Sequence, residues 1–584
     1  MRKIVLLSVA VFCLLSVGLT ARAQQADHKP DAAVNRNAAI DVAAVYGSGS
    51  FSEAALAQAI VAAGSAPTRL FLRSGEWSVT SSLVIPPNIS IEMAKGATFT
   101  KTRAGKLTIK GVLIADSQCF KGFADGEIRL KSAKPEWFGV TGADDDVAIQ
   151  HAAFAADRVV FEDGKTYVLG SHILIKKSIV LEGKAILDGS ATASGAILTI
   201  QGSDSETSAT LSAAGVKDAN KIIVASTSGF SVGDMIMLRS TEDWSETAAS
   251  ADDNHRYKKG EIAFIKSVDN ATSLTLTEPL KDNYSITGQT VTVTKLNKIN
   301  KPLVDGLRIM GGGAGKGHLG LIICYATEPV IRNVEVSKCE IEGIGFGYTD
   351  HGTINHCRVS GANKNGTGYG YAFDNMAQNC AIIDSYSEDH RHGFTTGSYY
   401  PVWDYQLINF VARNAASTVT AGAGINTHKN SRGGQFINTE VDGAYIGIGL
   451  AGARNIVMGG QVRNCTYACV YLQDDAALNT TIMGVQGRSS RYGINVAAFT
   501  GESVPQVHIE SCDLTGEGDS PYYGIVLSVA GIVRNNTITG FATALRQNAG
   551  TGSVFEGNKL SGYANAITDI EKGSTFRDNY LDDK

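Results

Sequence analysis

The chain has 584 residues, 43% hydrophobic and 19% charged, with 64 glycines, only 11 prolines and a net charge of −5. These figures exclude a disordered tail, a collagen-like repeat and a strongly basic nucleic-acid binder. The length exceeds the roughly 250–300 residues at which one compact core stops growing. Abundant glycine with little proline then favours one domain extended along an axis, because repeated turns need φ > 0 while a stacked sheet cannot spare N–H donors.

The first predicted element is a leader at 1–23. Arg2 and Lys3 precede an apolar run from Ile4 to Leu19, and Ala21-Arg22-Ala23 supplies the small residues read by a signal peptidase. An exported protein, secreted or periplasmic and bacterial in the style of its leader, is expected. No membrane anchor is expected, since no later segment has about 18 consecutive apolar residues. Residues 24–130 read as a cap-like region with first coils: a helix over Phe51 to Ala63, a strand at Leu70-Phe71-Leu72, then Gly75-Glu76-Trp77. A stronger copy at 131–203 runs through Lys134-Pro135-Glu136-Trp137-Phe138-Gly139, Asp144-Asp145-Asp146 as a helix cap, a helix over Val147 to Ala156, and Val159-Val160-Phe161. Residues 204–300, rich in Ser, Thr and Asp with alternating strands such as Ser273 to Thr277, read as a small all-β insertion. Trp244 and Tyr257 there are packing residues, with sugar stacking as the alternative.

Residues 301–584 repeat with a period in the low twenties, the mark of a solenoid. A small residue followed by an apolar one recurs at Gly345-Phe346, Ala372-Phe373, Gly393-Phe394, Gly424-Ile425, Gly447-Ile448, Cys469-Val470, Gly493-Ile494, Gly524-Ile525, Thr543-Ala544 and Ala566-Ile567. A preceding strand ends in a polar turn residue at Asn333, Asn355, Asn409, Asn438 and Asn535, where αL is tolerated. Eight cysteines follow the leader without C-x-x-C or zinc spacing, so no structural metal is expected; small buried thiols are favoured and disulfides stay open.

These features resemble the right-handed parallel β-helix of the pectate-lyase-like superfamily, which includes secreted polysaccharide lyases, mannuronan epimerases and tailspike depolymerases. The resemblance implies an all-β solenoid with an N-terminal helical cap and the insertion between coils. It specifies fold more than activity.

Candidate chemistry concentrates at 345–432. In the repeat alignment Asp374, Thr395 and Asn426 share one column, and Tyr371, His392 and Ala423 another; strict alternation brings Asp374 to the same face only if the strand bends near Phe373. Abstracting the proton α to a uronate carboxylate needs a cation on that carboxylate, a base at C5 and an acid at O4. Arg391, Lys429 or Arg432 suit the first role, His392 or His428 the second, and Tyr371, Tyr399 or Tyr400 the third. Asp389 is a further substrate contact, with a plain turn residue as its alternative. Tyr371-Ala372-Phe373-Asp374 followed by His392-Gly393-Phe394 is similar to the epimerase pattern Tyr-Gly-Phe-Asp-Pro-His before a His-Gly coil, which implies catalytic roles for Asp374 and His392. Asn375 and Met376 stand where that family has Pro and His.

The expected function is a lyase cleaving a uronate-containing polysaccharide by β-elimination. A hydrolase using a carboxylate pair among Asp374, Asp389 and Asp404, an epimerase, and a non-catalytic binding solenoid are the alternatives; Asp474-Asp475 is a weak match to paired carboxylates of β-helix glycosidases. No cofactor is expected, with Ca2+ left open. The expected partner is an acidic polysaccharide, without nucleic acid or membrane, acting on a monomer in preference to a homotrimer.

Overall fold

The structure, a computed structural model, describes residues 39–244, 257–415, 422–473, 478–497, 506–517, 522–569 and 573–582. The leader and Asp474-Asp475 lie outside them. The chain is a β-solenoid of about 20 turns, 6% helical.

Residues 39–130 begin with two helices, α1 (Val42–Val45) and α2 (Glu53–Ala63), the second capped by Ser52, whose hydroxyl accepts from the Ala55 N–H. Short parallel strands follow in three small sheets. A second capping helix, α3 (Asp146–Ala155), closes the next stack. Its acidic leader does other work than capping. Asp145 accepts from the backbone N–H groups of Thr141, Gly142 and Val168, and Asp146 from those of Gly170 and Ser171. Both side chains therefore tie the helix start to neighbouring loops and strands, and Asp145 makes no side-chain cap bond.

From residue 158 onward most coils contribute three strands, the second and third merging in Glu440–Leu450 and Gln461–Leu472, and every pairing between coils is parallel. Thr353–Asn355, Arg358–Ser360 and Tyr369–Asp374 form one such coil. The first strand of each coil joins a 14-stranded sheet, and the other two share a 26-stranded sheet that turns at a corner. Between the first and second strands the chain takes one left-handed residue: Asn333, His356, Asp384, Asn409, Asn438 and Asn535 lie between φ 47° and φ 56°. Asn355 is the exception to the expected asparagine column, because the turn falls one residue later at His356. The side chains add their own rail, with Asn438 donating to Asn409 and Asn409 to Asp384, each at 2.8 Å.

At the corner between the second and third strands two successive residues point inward. Leu545, Ile525, Ile494, Val470, Ile448, Ile425, Phe394, Tyr371 and Ile344 are in register there, each preceded by a small residue. The small residue is required by space. A methyl group on Gly424 would collide with the Val441 side chain, and one on Gly447 with Val462 and the Cys469 carbonyl of the next coil. This register differs from the expected one by two residues at the first two coils, where Gly343-Ile344 and Gly370-Tyr371 hold the corner instead of Gly345-Phe346 and Ala372-Phe373, and by one where Ala544-Leu545 replaces Thr543-Ala544. Inside, Phe346, Phe373 and Phe394 stack along the axis beside Tyr405 and Phe436. One apolar core runs from Val42 to Leu560.

Between Gln201 and Ile299 the solenoid is interrupted by an antiparallel six-stranded sheet, ordered Ser203–Thr210, Val291–Asn297, Met235–Asp243, Lys258–Asn270, Ser273–Leu276, Lys221–Ile223. It has its own core, including Ile236, Leu238, Ile265, Leu274 and Tyr284. A third, smaller cluster joins it to the coils, with Met235, Met237, Ile262 and Leu296 packed on Met376.

The eight cysteines from Cys119 to Cys512 carry free thiols, seven of them buried. We expect a disulfide-exchange reagent to leave the seven buried thiols unmodified in the native protein and to titrate all eight after denaturation; a paired set would instead stay silent until reduced. We also expect Gly447→Val to destabilise by about 1–3 kcal/mol through overpacking, read as a lower Tm, whereas an unchanged Tm would remove the spatial account of the corner.

Candidate functional site

The doubled inward position at the corner sets what the outer face carries. Because Gly370 and Tyr371 both point inward, Tyr369 and Ala372, three residues apart, both point outward, and Asp374 follows on the same side. The same holds for Glu342, Gly345 and Gly347 on the preceding coil, and for His392, Thr395 and Gly397 on the next. The outer face therefore has three columns: Glu342, Tyr369, His392, Ala423; then Gly345, Ala372, Thr395, Asn426; then Gly347, Asp374, Gly397. Adjacent coils stand about 4.8 Å apart.

This arrangement separates residues that sequence reasoning had joined. Tyr371 is fully buried, its ring edge-on to Phe410 and its hydroxyl donating to the Tyr386 carbonyl at 3.0 Å. It is a core residue and cannot donate a proton to a substrate. The outward tyrosine beside His392 is Tyr369, with the two rings 5.8 Å apart and nearly parallel. Likewise Asp374 pairs in register with Gly397, and Ala372 takes its expected place opposite Thr395.

Asp374 has a partner that the sequence did not reveal, Glu342 on the preceding coil. The Glu342 side chain is 8% exposed and lies over Gly345, where any β-carbon would displace its carboxyl. Asp374 stands next to Gly397, whose missing Cβ leaves 2.9 Å to Oδ1. Glycines at 345 and 397, both buried, thus leave the space that the two acid side chains occupy. Burial pushes the Glu342 carboxyl well above the usual carboxylate range and the neighbouring Asp374 pushes it further; burial raises Asp374 to about 6. Neither has a cation in its ion-pair shell among the described residues. Two poorly solvated carboxyls on adjacent coils cannot both ionise cheaply, so near neutrality Glu342 keeps its proton while Asp374 ionises.

His392 is 2% exposed, and its Nδ1 accepts from the Ala423 N–H at 3.3 Å. Burial, then the nearby Arg391, His428 and His390, hold its pKa well below the ordinary histidine value. The ring is neutral, and its Nδ1 is occupied by the backbone. Arg391 is tethered by its NH1 to the Gly366 carbonyl at 3.0 Å and lies 5.9 Å from the Tyr369 ring centre. Its Nε is buried without a hydrogen-bond partner.

The insertion forms the adjoining wall. His428 is held there, its backbone N–H donating to Thr396 Oγ1 at 3.0 Å and its Nδ1 3.2 Å from the Tyr257 hydroxyl. Trp244 is buried against Trp403 and donates its indole N–H to the Lys429 carbonyl at 3.1 Å. Arg432 lies over that indole, 4.7 Å from its ring centre, and donates to the Lys429 and Ser431 carbonyls. Trp244, Arg432 and the Lys429 backbone thus belong to the docking contact. Tyr400 packs in the same interface cluster; Tyr399 is 47% exposed at its edge, its carbonyl accepting from Lys258 N–H at 3.0 Å.

Two further departures have the same cause. Met376, which replaces the epimerase-type His, is fully buried under the insertion, and Asn375 Oδ1 accepts from the N–H groups of Tyr399 and Tyr400. Among the alternative acids, Asp404 is paired with Lys281 of the insertion at 2.6 Å, and Asp389 sits exposed in a left-handed corner at φ 52°. Neither shares the outer face with Asp374. Among the described residues no group of three or more His, Cys, Asp or Glu is placed to hold a metal, and no helix is long and apolar enough to cross a membrane.

No protein-family model matches the chain, and no curated protein sequence does. Solved structures do. The tailspike protein gp49 of Pseudomonas phage LKA1 superposes with a TM-score of 0.60 at 17% identity, covering 76% of this chain and 84% of the tailspike. The chain is a right-handed parallel β-helix. The tailspike gp61 of Pseudomonas phage phi297 gives 0.52 at 16% identity over 77% and 80% of the two chains. The gp54 tailspike of Acinetobacter baumannii bacteriophage AP22, solved with a capsular saccharide, gives 0.51 at 13% identity over 78% and 80%. At these identities the likeness is one of fold, and the β-helix reading of the sequence holds.

The raised carboxyls imply a definite pH dependence of stability. Both native pKa values lie above their unfolded ones, so the native state keeps protons that the unfolded chain releases. Their contribution is intact below about pH 4 and is lost as pH rises through the native values. Replacing Glu342 with the neutral Gln removes its share of that loss. Relative to the parent chain, we expect Glu342→Gln to gain on the order of 1–3 kcal/mol between pH 4 and pH 8, measured by denaturant unfolding. A pH-independent difference would mean that Glu342 titrates normally.

Proposed function

We propose that the chain is an enzyme that cleaves a polysaccharide lying on the outer face of the β-helix, with Glu342 and Asp374 as its acid–base pair. The observation that carries this reading is the pair itself: two carboxyls on adjacent coils of one face, both raised by burial and Glu342 further by Asp374, so that one is protonated and the other ionised near neutral pH. That division is what glycosidic hydrolysis needs. The protonated carboxyl gives its proton to the glycosidic oxygen as the bond to the anomeric carbon breaks. The ionised one acts on the opposite side, either drawing a proton from the attacking water or attacking the carbon itself. Tyr369, in register with Glu342 and stacked on neutral His392, donates its hydroxyl to the Gly366 carbonyl at 3.1 Å and fits a role as a ring wall beside the pair. Export of the chain, with the segment 1–23 as leader, fits an extracellular or periplasmic polymer as substrate.

β-Elimination from a uronate is the second reading, and Arg391 favours it. Its guanidinium, anchored over Tyr369, could neutralise a uronate carboxylate while one member of the carboxyl pair removes the C5 proton and the other protonates O4. His392 fits the base role less well in either chemistry, because its Nδ1 is occupied by the Ala423 N–H and its ring is buried. His428 and Lys429 lie at the wall, in reach of the edge of a bound chain.

The two chemistries leave different products. Incubation with alginate, polygalacturonate, hyaluronan and bacterial capsular polymers is expected to release reducing ends without the absorbance of unsaturated uronates; absorbance with chain shortening would favour elimination. Glu342→Gln and Asp374→Asn are each expected to lower kcat by about 10²–10⁴-fold without loss of Tm. The rate should rise with pH through about 6 as Asp374 ionises, then fall as Glu342 loses its proton. Undiminished turnover in both variants, or no change in any polymer, would remove the proposal.

A further inference from the structure

The outer face continues beyond the carboxyl pair. In the column of Glu342, Tyr369, His392 and Ala423, the following coils place Ile446, Ala468, Tyr492 and Tyr523 in register. Tyr445 and Tyr467 stand one position before Ile446 and Ala468. Their rings stack at 5.1 Å and 18°, Tyr467 meets Tyr492 at 5.1 Å, and Tyr492 stacks on Tyr523 at 5.8 Å and 15°. Four tyrosines on successive coils thus form a ladder on the water side of the sheet, and each remains partly exposed. The solenoid does not need them for its core, which has its own interior stack of Phe346, Phe373 and Phe394.

The ladder carries positive charge. Arg491, exposed, lies 5.1 Å from the ring centre of Tyr522 and 5.9 Å from that of Tyr467. No ion pair engages it among the described residues. Arg546 lies 4.9 Å from the Tyr523 ring centre and donates to its hydroxyl, while also pairing with Asp569 at 3.1 Å. Rings stacked along the axis expose their edges and hydroxyls, which suits hydrogen bonding to a polyhydroxylated chain; a guanidinium held on rings suits a carboxylate or sulfate on that chain. Between ladder and carboxyl pair the face carries Ala423, Asn426 and Gly449, of which Ala423 and Gly449 are buried. With coils about 4.8 Å apart, the track from Tyr369 to Tyr523 covers six steps, roughly 29 Å.

We propose that this tyrosine ladder with Arg491 is a binding track for an acidic polysaccharide running along the helix axis, holding the polymer at a distance from the reacting bond. The proposal rests on the carboxyl pair being the cleavage site, but its test does not need cleavage. In a Glu342→Gln background, affinity electrophoresis through gels containing alginate, polygalacturonate or hyaluronan, with dextran as a neutral control, reads binding alone. At least one acidic polymer is expected to retard the protein and dextran is not. Tyr492→Ala/Tyr523→Ala is expected to weaken that retardation about tenfold or more, and Arg491→Ala to weaken it more at low salt than at high salt. Should the tyrosine pair fail to fold by its melting curve, Arg491→Ala and Tyr492→Phe, which spare the stack, decide the matter. Unchanged retardation in folded variants would overturn the track, as would equal binding to dextran, or a dimer that the variants dissociate. Retardation by the ladder alongside full activity in Glu342→Gln would instead preserve the track and reject the cleavage site.

Discussion

The corner between the second and third strands of each coil is the constraint on which the rest of the structure depends. Two consecutive residues must point inward there, and the first must be almost without a side chain because the next coil's backbone and an inner Val, Ala or Ser occupy its Cβ space. Gly343, Gly370, Gly393, Gly424 and Gly447 meet this need, and Cys469 and Ala544 meet it further along. The inward pair also resets the alternation of side chains. Glu342, Tyr369 and His392 point away from the coil interior together with Gly345, Ala372 and Thr395, so one steric rule produces both the stacking and the composition of the outer face.

The insertion completes the surroundings. It docks through an apolar cluster around Met376 and through directed bonds, including Trp403 to the Gly260 carbonyl at 3.1 Å and Lys281 to Asp404 at 2.6 Å. That contact consumes several side chains which would otherwise read as substrate ligands: Trp244, Tyr400, Asp404 and Arg432. A polar residue at 376 would lose the buried contact, which accounts physically for methionine at the position where the epimerase-type pattern has histidine. The carboxyl pair lies beside this wall.

Much of the architecture was legible because spacing alone carries it: glycine with an apolar neighbour every coil, asparagine at the left-handed turns, an interrupting block of alternating strands. The site was less legible for a specific reason. A small-then-apolar pair occurs twice in Gly343-Ile344-Gly345-Phe346, and again in Gly370-Tyr371-Ala372-Phe373, so a shift of two residues satisfies the same pattern. That shift put Tyr371 beside His392, hid the alignment of Tyr369 with Glu342, and left Asp374 without its partner. The preference for His392 as a base came from its residue type, whereas its burial and the Ala423 N–H on its Nδ1 belong to the folded state. Asp374 was found, through its resemblance to the epimerase pattern and its place on the strand; Glu342 could have been found only with the corner correctly phased.

The central claim is that near neutral pH Glu342 is protonated while Asp374 is ionised. Carboxyl-carbon NMR on protein labelled at Glu and Asp side chains, assigned with Glu342→Gln and Asp374→Asn, measures this directly. The account predicts one resonance titrating near pH 6 and a second that stays protonated well above the usual carboxylate range, with Glu342 moving back towards it in Asp374→Asn. Two independent titrations near pH 4, unaffected by replacement of the other residue, would contradict it.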